Sequence, residues 1–204
     1  YDSGELSAQG KMVDDLKEGE WISYYKSGQK QAIINFKKGI ANGSKFEYYD
    51  SGELSAQGKM VDDLMEGKWE SFYKSGQMQG RMNFQKGLVN GKIIKYYENG
   101  IIQSEGNYKN GKPEGSLKHF HPNGNLYSSM NYINGLKEGE YQFFYNSGEI
   151  LETGKYLLDK KIGQVVTYNI DGSILMEKNY QGNEKSMNEM ATEVIEKLFE
   201  NIDK

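Results

Sequence analysis

The sequence predicts an all-β protein: an elongated array of stacked antiparallel β-hairpins on a 24-residue repeat, with a C-terminal capping α-helix. Three observations predict it. Glycines fall at Gly4, Gly28, Gly52, Gly76, Gly100, Gly124, Gly148 and Gly172, and a second series at Gly19, Gly43, Gly67, Gly91, Gly115, Gly139 and Gly163, both stepping by 24 without a slip. The stretches between them alternate apolar and polar residues and are rich in tyrosine. The chain then changes character after residue 182. A fixed step of about 20–50 residues marks an array in which each unit buries its apolar face only against its neighbours.

Within one unit, Gly19-Glu-Trp-Ile-Ser-Tyr-Tyr25 reads as a strand, and Lys26-Ser27-Gly28 as a short hairpin loop whose glycine can take positive φ. The run from Gln29 to Lys37 is the return strand. The connection from Lys38 to Gly43 carries Gly39 and Asn42-Gly43, which are turn formers because Gly and Asn tolerate left-handed backbone.

Strand side chains alternate faces, so columns taken at the repeat period separate the two faces. Tyr24, Tyr48, Phe72, Tyr96, Phe120, Phe144 and Tyr168 are aromatic in every unit, and Phe36, Phe84, Tyr108, Tyr132, Tyr156 and Tyr180 nearly so, with Met12 and Met60 as exceptions. These rings are expected to form the core, with Leu6, Leu54, Met78, Ile102, Leu126, Ile150 and Ile174 filling the same layer. Two residues before the return-strand aromatic the chain reads Gly10, Ile34, Gly58, Met82, Gly106, Met130, Gly154 and Lys178. Small alternates with large there, which suggests hairpins that pack bulk against a gap in a 48-residue pair. Recent duplication explains the same pattern, since residues 1–48 and 49–96 are identical at about two-thirds of positions and share YDSGELSAQGKMVDDL unchanged.

Domain organisation follows: residues 1–182 are the repeat array and 183–204 an amphipathic helix. Met187, Met190, Ala191, Val194, Ile195, Leu198 and Phe199 recur at helical spacing, and Ser186 with Glu189 forms a capping-box signature. Such a helix would cover the edge of the last hairpin, or dock a partner or a second copy.

Composition narrows the function classes. The formal charge of −4, with lysines scattered among acids, gives no basic stripe for nucleic acid and little electrostatic support for an anionic membrane. Zero cysteines exclude disulfides and thiolate metal sites. No run of about 18 apolar residues is present to span a bilayer. The chain begins at Tyr1 inside a repeat, so upstream sequence is expected, with room in it for a signal peptide or lipid anchor; an extracytoplasmic or cell-surface location stays open.

The repeated G-x-W-x-x-Y-Y-x-x-G pattern, best at Gly19-Glu-Trp21 through Tyr24-Tyr25 to Gly28 and at Gly67-Lys-Trp69 through Phe72-Tyr73 to Gly76, resembles MORN repeats (membrane occupation and recognition nexus), in particular the bacterial variant form. The resemblance covers residues 1–182. It implies hairpins stacked into an elongated sheet with an aromatic-lined groove, and binding instead of catalysis. Antitoxin-like and immunity-type proteins occur among the bacterial members; elsewhere such modules are linked to membrane or phosphoinositide contact and to protein scaffolding. Fold transfers with such a repeat more readily than function.

No P-loop, kinase glycine loop, HRD or DFG element appears, so no enzymatic activity and no cofactor are expected. His119 and His121 share a strand face, but zinc sites normally take three or four ligands, and His121 stands where other units carry tyrosine. Asp14, Asp15, Asp62 and Asp63 sit in turns, where Asp is a turn former. The candidate binding surface is the second aromatic face: Tyr25, Tyr49, Tyr73, Tyr97 and Tyr145, preceded on the same strands by Trp21, Trp69, Ile93, Leu117 and Tyr141. Exposed aromatic rows mark contact sites. A protein partner is the first expectation, taking an extended or helical segment on this stripe, with a toxin as one such partner; rings stacking on carbohydrate is the second.

Overall fold

The structure, a computed structural model, describes residues 4–180. The residues predicted as the C-terminal helix lie outside the described ones. The chain falls into two compact units, Tyr1–Gly111 and Lys112–Lys204.

The first unit is an antiparallel meander of β1 (Ala8–Val13), β2 (Leu16–Tyr24), β3 (Lys30–Lys37), β4 (Ile40–Tyr48), β5 (Leu54–Val61), β6 (Leu64–Phe72), β7 (Met78–Gln85), β9 (Gly91–Tyr96) and β10 (Ile102–Lys109), with the two-residue β8 (Leu88–Val89) pairing β7. The second unit continues the pattern with β11 (Lys112–Phe120), β12 (Leu126–Ile133), β13 (Leu136–Phe144), β14 (Ile150–Leu157), β15 (Lys160–Tyr168) and β16 (Ile174–Tyr180). Within each unit, strands adjacent in sequence pair, as short connections favour, with β7 pairing both the short β8 and β9.

Two kinds of turn alternate. After Tyr25 the chain closes a hairpin loop in which Gly28 N–H donates to Tyr25 O at 2.9 Å and Tyr25 N–H to Gln29 O at 2.8 Å, with Gly28 at φ +82°. The opposite connection is a two-residue turn with both residues left-handed, Lys38-Gly39 or Asp62-Asp63, whose twist suits the flanking strands. This corrects the expectation for Lys38 to Gly43. The turn ends at Gly39, β4 begins at Ile40, and Gly43 lies inside the strand at φ +129°. There the β3–β4 register shifts between Ile34 and Phe36, so Asn42-Gly43 marks a bulge, not a turn. Strands are accordingly longer than predicted, Leu16–Tyr24 instead of Gly19–Tyr25.

The core is also placed differently from expectation. The buried column is Trp69, Ile93, Tyr141 and Val165, joined by Ala41 and Met60. In the first unit Ala41, Met60 and Trp69 form a cluster, with Ile34, Phe36, Met65, Met82 and Phe84 packed against it. The return-strand aromatics Phe36 and Phe84 therefore belong to the core as predicted, with Trp21 and Trp69 edge-on to them at 6.5 and 6.1 Å between centroids. The Tyr24 column lies only half-buried on the other face, and Leu6, Ile150 and Ile174 are exposed. The reason is the glycine column. A Cβ at Gly10 or Gly58 would fall inside the indole of Trp21 or Trp69, and at Gly154 it would lie 2.8 Å from Tyr141 and Val165. Large rings lie flat over bare backbone on neighbouring strands, which is the bulk-against-gap packing the alternation suggests.

Candidate functional site

The structure places the members of the predicted face unequally. Trp69 and Tyr141 are 5% and 1% exposed, so their rings support the sheet and leave little area for a partner. Trp21 is half-buried, because β1 is an edge strand and nothing among the described residues covers its far side. Each indole is fixed by its Nε1–H, which donates to Lys11 O at 3.0 Å from Trp21 and to Lys59 O at 3.2 Å from Trp69.

The tyrosines at the hairpin loops form a ladder. Tyr25 Oη donates to Tyr48 O, Tyr49 Oη to Phe72 O, Tyr73 Oη to Tyr96 O and Tyr145 Oη to Tyr168 O, at 2.8, 2.8, 2.7 and 2.8 Å. Each step spans one repeat, so a side chain that sequence reasoning assigned to binding also locks successive loops. All are half-buried, with Tyr97 likewise half-buried in the same column. His121 takes the tyrosine's place, with Nε2 at 3.3 Å from Phe144 O and its ring edge-on to Tyr127 at 5.1 Å.

Hollows line this face and contain the predicted residues. One of about 260 Å³ is bordered by Tyr25 with Ser23, Ala32, Ile34, Lys45 and Glu47. A smaller one, about 60 Å³, is bordered by Trp21, Phe36 and Lys17, whose Nζ stands 4.7 Å from the indole centroid. Sequence reasoning missed Lys45 and Glu47, which pair at 2.7 Å. The signal was available, because Lys45 is the one charge in an otherwise aromatic and aliphatic column.

In the second unit a groove of about 750 Å³ is bordered by Tyr141, Tyr168, Tyr180, Gln142, Gln164 and Lys155 among others. Beside Tyr141, the Glu152 carboxylate accepts from Tyr141 Oη and from Lys161 Nζ, both at 2.7 Å. Burial, and then the bond to Glu152, push the Tyr141 phenol up to about 12. Burial works against the Lys161 ammonium, but its bonds to Glu152 and Tyr141 outweigh this and hold it above the usual lysine range.

The acids of the turns have structural work. Glu18 and Glu66 accept from Lys38 N–H and Lys86 N–H, each at 2.8 Å, and Asp63 accepts from Ala41 N–H at 2.7 Å. Among the described residues no three His, Cys, Asp or Glu side chains stand together as metal ligands, and no helix there is long and apolar enough to cross a membrane.

Comparison with known proteins adds the following. The MORN repeat variant pattern matches residues 17–38, 65–86, 89–110, 113–134 and 137–157, more than half of the chain. No curated protein matches the chain. Among solved structures, a GtfA/B complex bound to UDP and GlcNAc is similar over 65% of this chain and 25% of that one, at 10% identity and a TM-score of 0.24. An S. aureus TarM mutant in complex with fondaparinux, alpha-GlcNAc-glycerol and UDP is similar over 71% of this chain and 21% of that one, at 11% identity and a TM-score of 0.23. A Bacteroides fragilis protein of unknown function is similar over 88% and 95%, at 9% identity and a TM-score of 0.14. This chain thus spans a quarter or less of the first two proteins, and all three TM-scores are too low to bear on its activity.

Proposed function

The chain belongs to the MORN repeat variant family, and from that premise we propose that it is a non-enzymatic scaffold that binds another protein along its aromatic-lined face. The observation that carries this reading is the tyrosine ladder, which presents half-exposed rings once per repeat beside a hollow bordered by Lys45 and Glu47. Rigid aromatics held in register contribute contact area at little entropic cost, and Tyr and Trp are enriched where binding energy concentrates. The partner is an extended or helical protein segment, and toxin neutralisation is the role that the bacterial members suggest.

Capture from lysate and culture medium of the source cells tests it, using wild type, Tyr25→Phe/Tyr49→Phe and Tyr25→Ala/Tyr49→Ala. Phe keeps the rings and removes the ladder bonds, whereas Ala removes both. One protein retained by wild type and the Phe pair but lost by the Ala pair supports the reading. Equal capture by all three, with the Ala pair still folded by circular dichroism, rejects it.

A second reading, carbohydrate binding at a surface, is favoured by the groove of the second unit, where Gln142, Thr153, Gln164 and Asn179 flank Tyr168 and Tyr180. Amide and hydroxyl groups beside open rings suit sugar hydroxyls and ring faces. Titration with an oligosaccharide panel, followed by the tyrosine fluorescence, separates the two readings.

A further inference from the structure

In the first unit every two-residue turn is followed by an aliphatic residue that opens the next strand: Leu16, Ile40, Leu64 and Leu88, exposed by 45%, 43%, 46% and 52%. This openness does not come from the ends of the sheet. Ile40 and Leu64 have a turn on either side and are as exposed as Leu16. The row is continuous, because Leu16 leans on Gly39, Leu64 on Gly87 and Leu88 on Gly111, each the second residue of the next turn; a Cβ there would lie 3.2, 3.2 and 3.8 Å from the leucine Cδ2. In the second unit Lys112 and Lys160 hold the same position, which interrupts the row. The turns beside the row alternate in charge. Asp14-Asp15 and Asp62-Asp63 are acidic, while Lys38-Gly39, with Lys37 before it, and Lys86-Gly87 are basic, and all of these charged residues are exposed. Asp14, Lys38, Asp62 and Lys86 share one backbone, at φ +48°, +51°, +50° and +50°, so the turns differ in charge and not in conformation. The half-buried Glu18 and Glu66 accept from the N–H groups of Lys38 and Lys86.

We infer that this turn edge joins two copies of the chain, antiparallel, about a two-fold axis between the turns at Lys38-Gly39 and Asp62-Asp63. Strand spacing sets successive aliphatics about 10 Å apart in both copies, so the two rows stay in register along their length. Leu16 meets the partner's Leu88, and Ile40 meets the partner's Leu64. The charges follow the same axis. Asp14-Asp15 faces the partner's Lys86, and Lys37-Lys38 faces the partner's Asp62-Asp63, so every acidic turn lies against a basic one. A parallel arrangement sets each turn against itself and is repelled, as like charges across an interface are. An isologous contact of this kind closes as a dimer. The carboxylates of Asp14, Asp15, Asp62 and Asp63 beside the aliphatics make an anionic lipid surface a poor occupant of the same edge. A single exposed apolar row marks a contact without naming its partner; the self-complementary charge order names a second copy. The edge lies at the end of the strands opposite the tyrosine loops, so the dimer leaves the aromatic face free, and the inference goes beyond the scaffold reading.

Sedimentation velocity of the full chain over a range of concentrations tests it. Wild type is expected to pass from monomer to dimer at about 10–100 μM, as a small contact allows. Leu64→Glu, which keeps the sheet circular dichroism because the side chain is exposed, should raise that midpoint about thirtyfold or more. The shared backbone of the turns lets charges be exchanged without strain. Asp14→Lys/Asp62→Lys and Lys38→Asp/Lys86→Asp are each expected to weaken self-association about tenfold, and an equimolar mixture of the two to recover it as a heterodimer. A wild type that stays monomeric up to about 1 mM, a dimer indifferent to Leu64→Glu, or charge variants that associate no better mixed than alone would each overturn the proposal. Capture along the aromatic face is scored separately, so the dimer and the scaffold reading fail independently.

Discussion

At the scale of single residues, the decisive contact is a ring over a bare backbone. Adding a methyl at Gly58 forces the Trp69 indole out of a site where it is 5% exposed. Gly58→Ala is therefore expected to cost about 1–3 kcal/mol in urea denaturation. Gly10→Ala should cost less although the geometry is equivalent, because Trp21 is only half-buried and has less burial to lose than Trp69. Equal losses at the two sites would show that the ring contact is not what limits them. Trp69→Ala is expected to cost about 3–5 kcal/mol, as for other buried large-to-small changes. Tyr141 adds a pH dependence. Its phenol is raised in the folded state, so its share of stability is fully present below about pH 10 and is lost as pH rises through about 12; Lys161, also raised, acts with the same sign. Tyrosinate absorbance of wild type against Tyr141→Phe should reveal one phenol titrating near 12 and an alkaline melting loss that the variant lacks. The alternation Gly10, Ile34, Gly58, Met82 made this contact legible from sequence. Which face lay above the glycines was not, because the Tyr24 column is aromatic in every unit and the Tyr25 column is tyrosine in every unit but those of His121 and Asn169, so neither marks itself as core.

At the scale of elements, neighbouring hairpins are tied twice, at opposite ends of the strands. The tyrosine hydroxyls bridge loops at one end, and Glu18, Glu66, Glu114 and Glu138 cap the left-handed turns one hairpin on at the other. Tyr49→Phe removes one bridge and is expected to cost about 0.5–1.5 kcal/mol, with faster amide exchange at the loop of Tyr73. A loss under a few tenths of a kcal/mol would mean that the ladder accompanies the stacking without stabilising it. Hairpins and their phase were readable because the glycine series are unbroken. The turn at Lys38-Gly39 was not separable from Asn42-Gly43, since both pairs tolerate positive φ and only the pairing of β3 with β4 shows which one reverses the chain. The structural use of Tyr25 was hidden for a related reason. A hydroxyl reaching a carbonyl 23 residues away depends on stacking, and strand alternation says nothing about it.

At the scale of the whole molecule, function is least legible, because a repeat consensus encodes stacking and leaves the partner to surface detail. Lys45, which borders the hollow beside Tyr25 and pairs with Glu47, breaks an otherwise apolar column, and under the proposed scaffold reading a departure of that kind is where partner choice would reside. The central claim is that the aromatic face of the repeats receives a protein. Hydrogen exchange of the chain, free and in complex with its captured partner, tests this most directly. The account predicts slowed exchange along residues 21–25, 45–49 and 69–73, repeating with the 24-residue period. Protection confined to the opposite turns at Lys38-Gly39 and Asp62-Asp63, with those stretches unchanged, would contradict it.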